Sequence, residues 1–181
     1  MGRLARDDPA GKLTERYDRE AAAYRDLWSP VVRVAGDRLL REVAGGGARR
    51  ILDVGTGVGS LLPSLRMMSP GALVLGIDRS RGMLALAPRE IPRAVMAATE
   101  LGIPDGAVDL VVLAFVLFHL QNPVQGLREA RRVLRRGGSV ASVTWGEEMR
   151  SPASLVWNEC LDEHGADEED PATTARHDTV D

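Results

Sequence analysis

The stretch Arg50-Ile51-Leu52-Asp53-Val54-Gly55-Thr56-Gly57-Val58-Gly59-Ser60 leaves little choice of local structure. A short apolar run ends in an acid, and glycines at alternate positions then lead into a serine and a helical pattern. The run is short enough for a buried strand. The glycines permit backbone conformations that a Cβ forbids and let a ligand approach the main chain. Ser60 is a suitable N-cap for a helix whose first N–H groups have no partner of their own. Strand, tight turn and helix follow in that order, and the turn can carry a cofactor.

The rest of the chain alternates in the same way. Residues 1–12 are charged and aperiodic and read as a mobile leader; residues 13–47 read as a helical lid. Within the lid, Tyr17, Ala21, Tyr24 and Trp28 fall on one face of a helix starting near Thr14. Ser29-Pro30 then looks like the cap and first-turn proline of a second helix, with a stripe of Val32, Ala35, Leu39 and Val43. After the Gly-rich turn, Leu61, Leu62, Leu65 and Met68 make a helical stripe, and a strand is expected over residues 72–77. Ser80 can cap a short helix, and a weak strand spans 93–96. A strongly apolar strand covers 108–115, and Asn122-Pro123 opens a helix that Gly137-Gly138 closes before a fifth strand at 139–143. Apolar strands alternating with amphipathic helices predict a doubly wound, mostly parallel α/β sheet with helices on both faces. The cofactor domain is expected over 48–161, followed by an acidic, partly disordered tail at 162–181.

A net charge of −3 provides no basic field for a nucleic-acid partner. The single cysteine, Cys160, excludes an internal disulfide and fits a cytoplasmic protein, monomeric or homodimeric. The longest apolar run, Leu110 to Phe118, is about half of what a membrane span needs. Cys160 and His164 sit one helical turn apart among acids, which reads as a solvated face, and no metal site is expected.

Asp78 follows the turn at a distance of about 20 residues, which suits an acid accepting from a ribose diol; the alternative is that it caps the next helix. A dinucleotide fingerprint needs G-x-G-x-x-G so that a pyrophosphate can touch the turn. Here the pattern is G-x-G-x-G followed by Ser60, and Asp53 would repel a pyrophosphate but welcome an ammonium. A nucleoside bearing an amino-acid end fits better.

Leu52-Asp53-Val54-Gly55-Thr56-Gly57-Val58-Gly59 resembles the signature of class I S-adenosylmethionine-dependent methyltransferases. Ile77 to Leu84 is similar to that family's second motif. Ile103 to Val111 resembles the approach to its fourth strand, and Ala130 to Gly138 the segment before the fifth. The nearest branch is the small-molecule methyltransferases, including those of quinone biosynthesis. The resemblance implies a Rossmann-like fold, S-adenosylmethionine as cofactor and a small-molecule acceptor methylated at O, N or C. It places the backbone of Gly55, Thr56 and Gly57, with Gly59 completing the signature, along the methionine moiety, and Asp53 near its ammonium. Asp78 would take the ribose hydroxyls, with Arg79 or Met83 beside the adenine. The family's acid for the adenine amino group is Ala97 here, leaving the Ala98 N–H, or Thr99 or Glu100, to serve the ring; one lost hydrogen bond costs on the order of 1 kcal/mol. Tyr24, on the lid, is a cofactor ligand or a packing residue. His119, after the fourth strand, is a general base for the acceptor or a structural residue of the adenine edge.

The family's sheet continues beyond the fifth strand with a helix and an antiparallel strand pair, for which the residues after Trp145 are few. The strand pair is therefore expected to be missing. A shortened chain, a partner supplying the edge, or a reduced member would each account for that. A shortened or degenerate domain that binds the cofactor or a partner without turnover stands as the alternative function, and a nicotinamide oxidoreductase is disfavoured by Asp53 and Ser60.

Overall fold

The computed structural model describes residues 8–43 and 47–146. Two compact units divide the chain, Met1–Val143 and Thr144–Asp181, and every element below belongs to the first. Cys160, His164, the acidic tail and the region of the expected strand pair lie outside the described residues.

Five parallel strands form one sheet in the order β3-β2-β1-β4-β5: β1 Arg50–Val54, β2 Leu73–Asp78, β3 Arg93–Val95, β4 Val108–Ala114 and β5 Leu134–Val143. The strand order reverses between β1 and β4, so their carboxyl ends frame the crevice where open α/β sheets bind ligands. Alternate residues of the central strands feed two cores. Ile51, Val74, Leu110 and Val112 pack with Leu61, Leu62 and Leu65 around helix α3 (Leu62–Met68) and with Leu40 of α2 (Ser29–Glu42). Leu52, Val54, Ile77, Val111 and Leu113 face the other way, onto Ala130 and Val133 of α5 (Pro123–Val133). A sheet buried on both faces explains why these strands read as continuous apolar runs. Helix α4 (Arg81–Leu86) follows β2, with Ser80 Oγ accepting from the Met83 N–H as the sequence anticipates. Asn122 likewise caps α5 through the Gln125 N–H. Among the described residues no helix is long and apolar enough to cross a membrane.

Several local expectations are corrected. Helix α1 runs from Pro9 to Ala23, because Asp8 caps it through the Gly11 N–H and Pro9 occupies the first turn; residues 9–12 are therefore helical rather than aperiodic. Ser29 is the first residue of the expected second helix, with Pro30 in its first turn, but it does not cap it: the N-cap position is Trp28. The chain passes from α1 to α2 through a π-helical turn, Tyr24–Trp28, in which the Ser29 N–H donates to the Tyr24 carbonyl. The wider turn changes the helical phase, so Trp28 leaves the Tyr17–Ala21–Tyr24 face and is 54% exposed. Ser60 does not cap α3, whose N-cap is Leu61; Ser60 Oγ instead shares a 2.6 Å hydrogen bond with Ser29 Oγ. Helix α5 stops at Val133, and β5 starts at Leu134. The register between β4 and β5 slips between Val108 and Leu110, which takes up Arg135 to Gly138 as an irregular insert tied down by an Arg135–Asp109 ion pair.

Candidate cofactor site

The Gly-rich turn leaves β1 with Gly55, Gly57 and Gly59 all at positive φ (+68°, +56° and +76°), a path that side chains with a Cβ rarely follow. The Thr56 N–H pins the turn to β2 by donating to the Ile77 carbonyl at 2.8 Å. Asp78, at the end of β2, locks it from the other side: Oδ2 accepts from the Gly57 N–H at 2.9 Å and Oδ1 from the Ser80 N–H at 2.8 Å. Burial pushes the Asp78 carboxyl up, while the N–H groups of Ser80, Gly57 and Arg79 hold it back. Asp53 is fully enclosed beneath the turn and accepts from Thr56 Oγ1 at 2.6 Å. Burial, against the opposing Thr56 hydrogen bond, drives its carboxyl up to about 7.

Above the turn lies a cavity of about 120 Å³ at the carboxyl ends of β1, β2 and β4. Tyr24, Gly55, Gly57, Asp78, Arg79, Met83, Ala98 and His119, all singled out from the sequence, line it together. Asp53 and Thr56 line a second, smaller cavity of about 30 Å³; Tyr24, Gly55, Ala114 and Phe115 line both. Four sequence candidates line neither: Gly59, Ala97, Thr99 and Glu100. Gly59 packs against the α4 side of the fold, where a Cβ would stand 2.7 Å from Pro88 Cδ and 3.0 Å from Ala87 Cβ. Ala97 is taken up in a bridge to Glu100, and Met96 faces the cavity in its place.

Helix α1 roofs the larger cavity with Ala10, Leu13, Thr14 and Tyr17. Two adjacent residues hold the roof to opposite walls. Tyr17 Oη is hydrogen-bonded to His119 Nε2 at 2.8 Å, with the rings edge to face. Asp18 Oδ1 accepts from Ser80 Oγ at 2.6 Å and from the Gly82 N–H at 2.8 Å. At Gly82 a Cβ would lie 2.6 Å from the Asp18 carbonyl oxygen, so only glycine lets the helices approach this closely. Burial lowers the His119 imidazole to about 4, and the Arg16 charge acts in the same direction. Tyr24, also desolvated, is raised to about 12. At neutral pH the roof contacts of Tyr17, Tyr24 and His119 are therefore uncharged.

Sequence reasoning missed Phe115 and Arg33. Phe115 is the one non-glycine residue at positive φ (+57°) among the described residues, directly after β4 and lining both cavities. Such backbone strain clusters at ligand sites. Arg33 lines the smaller cavity from α2.

The arrangement selects the class of ligand. The Gly57 N–H, which a phosphate would need, is already given to Asp78, and two carboxyl groups flank the turn. An anionic pyrophosphate meets repulsion there; a nucleoside carrying positive charge does not. Residues 52–142, about half of the chain, match the methyltransferase domain family. The chain belongs to that family.

This methyltransferase is 29% identical over 167 residues to a demethylmenaquinone methyltransferase of Mycolicibacterium gilvum, covering 89% of this chain and 72% of the relative. It is 34% identical over 165 residues to the demethylmenaquinone methyltransferase of Beutenbergia cavernae, covering 87% and 68%. Among solved structures, an S-adenosylmethionine-dependent methyltransferase from Aquifex aeolicus is 26% identical with a TM-score of 0.52, over 65% of this chain and 71% of that one. A methyltransferase in complex with the Trm112 activator of Haloferax volcanii shares the fold, with a TM-score of 0.66 at 23% identity over 81% of this chain and 66% of its own. The class I reading of the motifs holds: the enzyme is S-adenosylmethionine-dependent. The residues present fit a cofactor of that kind: the carboxyl groups of Asp53 and Asp78 and the glycines Gly55 and Gly57 line the two cavities.

Proposed function

We propose that the protein transfers a methyl group from S-adenosylmethionine to a small, largely apolar acceptor bearing a ring hydroxyl, of the quinol type. The observation that carries this reading is the asymmetry of the larger cavity. Its floor is polar, at Gly57 and Asp78, while Leu13, Phe115, Val116 and Leu120 give it an apolar side under the α1 roof. The names of the curated relatives, demethylmenaquinone methyltransferases, support the acceptor class. Asp78 holds the ribose diol, Asp53 the ammonium, and the Gly55–Gly57 backbone the chain between them. Arg79 and Met83 flank the adenine, the Ala98 N–H serves its edge, and Tyr24 closes over the amino-acid end. When bound, the cofactor supplies a sulfonium whose methyl group is already activated. The protein then needs chiefly to align the acceptor and keep water out, and the α1 roof held at Tyr17 and Asp18 does both.

His119 takes the acceptor's proton in this scheme; it lines the larger cavity, and its Nε2 is hydrogen-bonded to the Tyr17 hydroxyl. A neutral imidazole lowered to about 4 is a weak base, so its contribution is smaller than alignment. A glutamine in its place can still bond Tyr17 but cannot take a proton. His119→Gln should therefore lower kcat by roughly tenfold to a hundredfold with cofactor affinity unchanged. Equal loss of cofactor affinity would make His119 a fastener of α1 instead.

The test of the function is calorimetry with S-adenosylhomocysteine followed by turnover over a panel of quinols, phenols and amines. No binding up to millimolar concentration would remove the reading. Binding without turnover across the panel would favour a domain that holds the cofactor without catalysis, which Ala97 in place of an acid motivates.

A further inference from the structure

We propose that Arg33 binds the carboxylate of the cofactor's amino-acid end, so that Arg33 and Asp53 together recognise the zwitterion. The inference rests on the S-adenosylmethionine reading of the site and adds a residue that no motif contains. The smaller cavity opens beside the Gly-rich turn and shares Gly55, Ala114 and Phe115 with the larger one, so a ligand lying along the turn reaches it with one end. Asp53, Thr56, Ser60 and Arg33 supply polar lining, and Arg33 is the only cation among the described residues around it.

An α-amino acid group carries one positive and one negative charge on neighbouring atoms. Asp53 answers the ammonium. The carboxylate, brought into the same confined space as the Asp53 carboxyl, would be repelled and desolvated unless a cation met it. Of the two aliphatic hydroxyls here, Thr56 already donates to Asp53, and Ser60 is paired with Ser29. The Tyr24 hydroxyl also lines the cavity but carries no charge, so Arg33 is the group left to neutralise the carboxylate. Its guanidinium can turn toward the ligand, because its contact with Asp37 is a single 3.3 Å bond on a half-exposed side chain. Asp37, whose side chain is 30% exposed, offers only its Oδ2 to this contact, and partly exposed pairs held by one long bond are worth little. A planar guanidinium also suits two-point binding of a carboxylate.

Calorimetry on the full chain with two ligands tests this. S-Adenosylhomocysteine carries the amino-acid end, and 5′-methylthioadenosine has the same nucleoside and thioether without it. Arg33→Gln should weaken S-adenosylhomocysteine at least tenfold, leave 5′-methylthioadenosine within twofold, and leave the unfolding midpoint unmoved. Arg33→Lys should recover part of the loss. An unchanged S-adenosylhomocysteine affinity in Arg33→Gln, or an equal loss for both ligands, would overturn the assignment while leaving the cofactor reading intact. Parent protein that binds neither ligand would overturn the cofactor reading and this inference with it.

Discussion

Asp53→Asn is expected to make the protein more stable above pH 7 and at the same time to impair cofactor binding. In the folded chain the Asp53 carboxyl titrates near 7, against an ordinary value of 3.8. The native state therefore keeps a proton that the unfolded chain gives up between about pH 4 and 7. Stability from this group is fully present below pH 4 and is lost as pH rises through 7, an amount of up to about 4 kcal/mol. Asparagine can still accept from Thr56 Oγ1 and has no charge to bury, so the variant escapes that loss. Its advantage should be absent at pH 4 and reach several degrees in Tm at pH 8. His119 works in the opposite sense over nearly the same window. Its imidazole is lowered to about 4, so the unfolded chain takes up a proton that the folded one refuses, and stability rises with pH from about 4 to 6.5 by roughly 3 kcal/mol. The two contributions largely cancel in the parent. Asp53→Asn should unmask a rising profile and His119→Gln a falling one, both readable by thermal unfolding across pH 4–8. Parallel profiles for parent and Asp53→Asn would show that the buried carboxyl carries no such proton.

The same proton reaches into binding. The ammonium proposed beside Asp53 demands the charged carboxylate, so cofactor binding should release close to one proton near pH 6 and far less near pH 8. Calorimetry in two buffers of different ionisation enthalpy measures this directly. The variant should release none at either pH and bind at least tenfold more weakly above pH 7, where the parent's carboxylate is already formed.

How far the sequence revealed the site follows the range of the interactions involved. Strands β1 and β4 were legible because burial on both faces leaves an unbroken apolar run, and Ser80 and Asn122 because a cap bonds a backbone N–H within its own next turn. Asp78, picked out by its distance from the turn, does line the larger cavity. Ser60 was misread for the converse reason. It has the residue type and position of a cap, but its partner is Ser29, far away in the chain. The π turn at Tyr24–Trp28 has no local signature; a regular period carried through it placed Trp28 on the wrong face. Arg33 lies on a helix also carrying Arg38 and Arg41, and nothing in its spacing separates it from them. Only the packing of α2 beside the Gly-rich turn does so. The α5–β5 boundary was drawn late because Gly137-Gly138 looks like a helix stop, whereas the insert is set by Arg135 pairing with Asp109 across the strands.

Asp78→Ala should be the most damaging single change at the site, because in the proposed binding mode one carboxylate serves both fold and ligand. Its two oxygens accept from the Gly57 and Ser80 N–H groups, joining the Gly-rich turn to the start of α4. Removing it leaves two donors unsatisfied in a largely enclosed place, a cost of about 2–4 kcal/mol. The Ser80 hydroxyl in turn holds Asp18 of the roof, so the loss extends to the seating of α1. An ionised carboxylate has about four lone-pair sites, and the backbone N–H groups of Gly57, Arg79 and Ser80 leave one for a ribose hydroxyl. Cofactor affinity should therefore fall by on the order of a hundredfold, the combined effect of a lost charge-assisted bond and a loosened turn. Asp78→Asn partly separates the two roles: its amide oxygen keeps one backbone bond and with it part of the stability, while its NH₂ can only donate where a carboxylate oxygen accepted. Titration with S-adenosylhomocysteine should still find it at least tenfold weakened. Affinity equal to the parent in a folded Asp78→Asn would move the ribose elsewhere in the cavity and leave Asp78 as a brace of the turn alone.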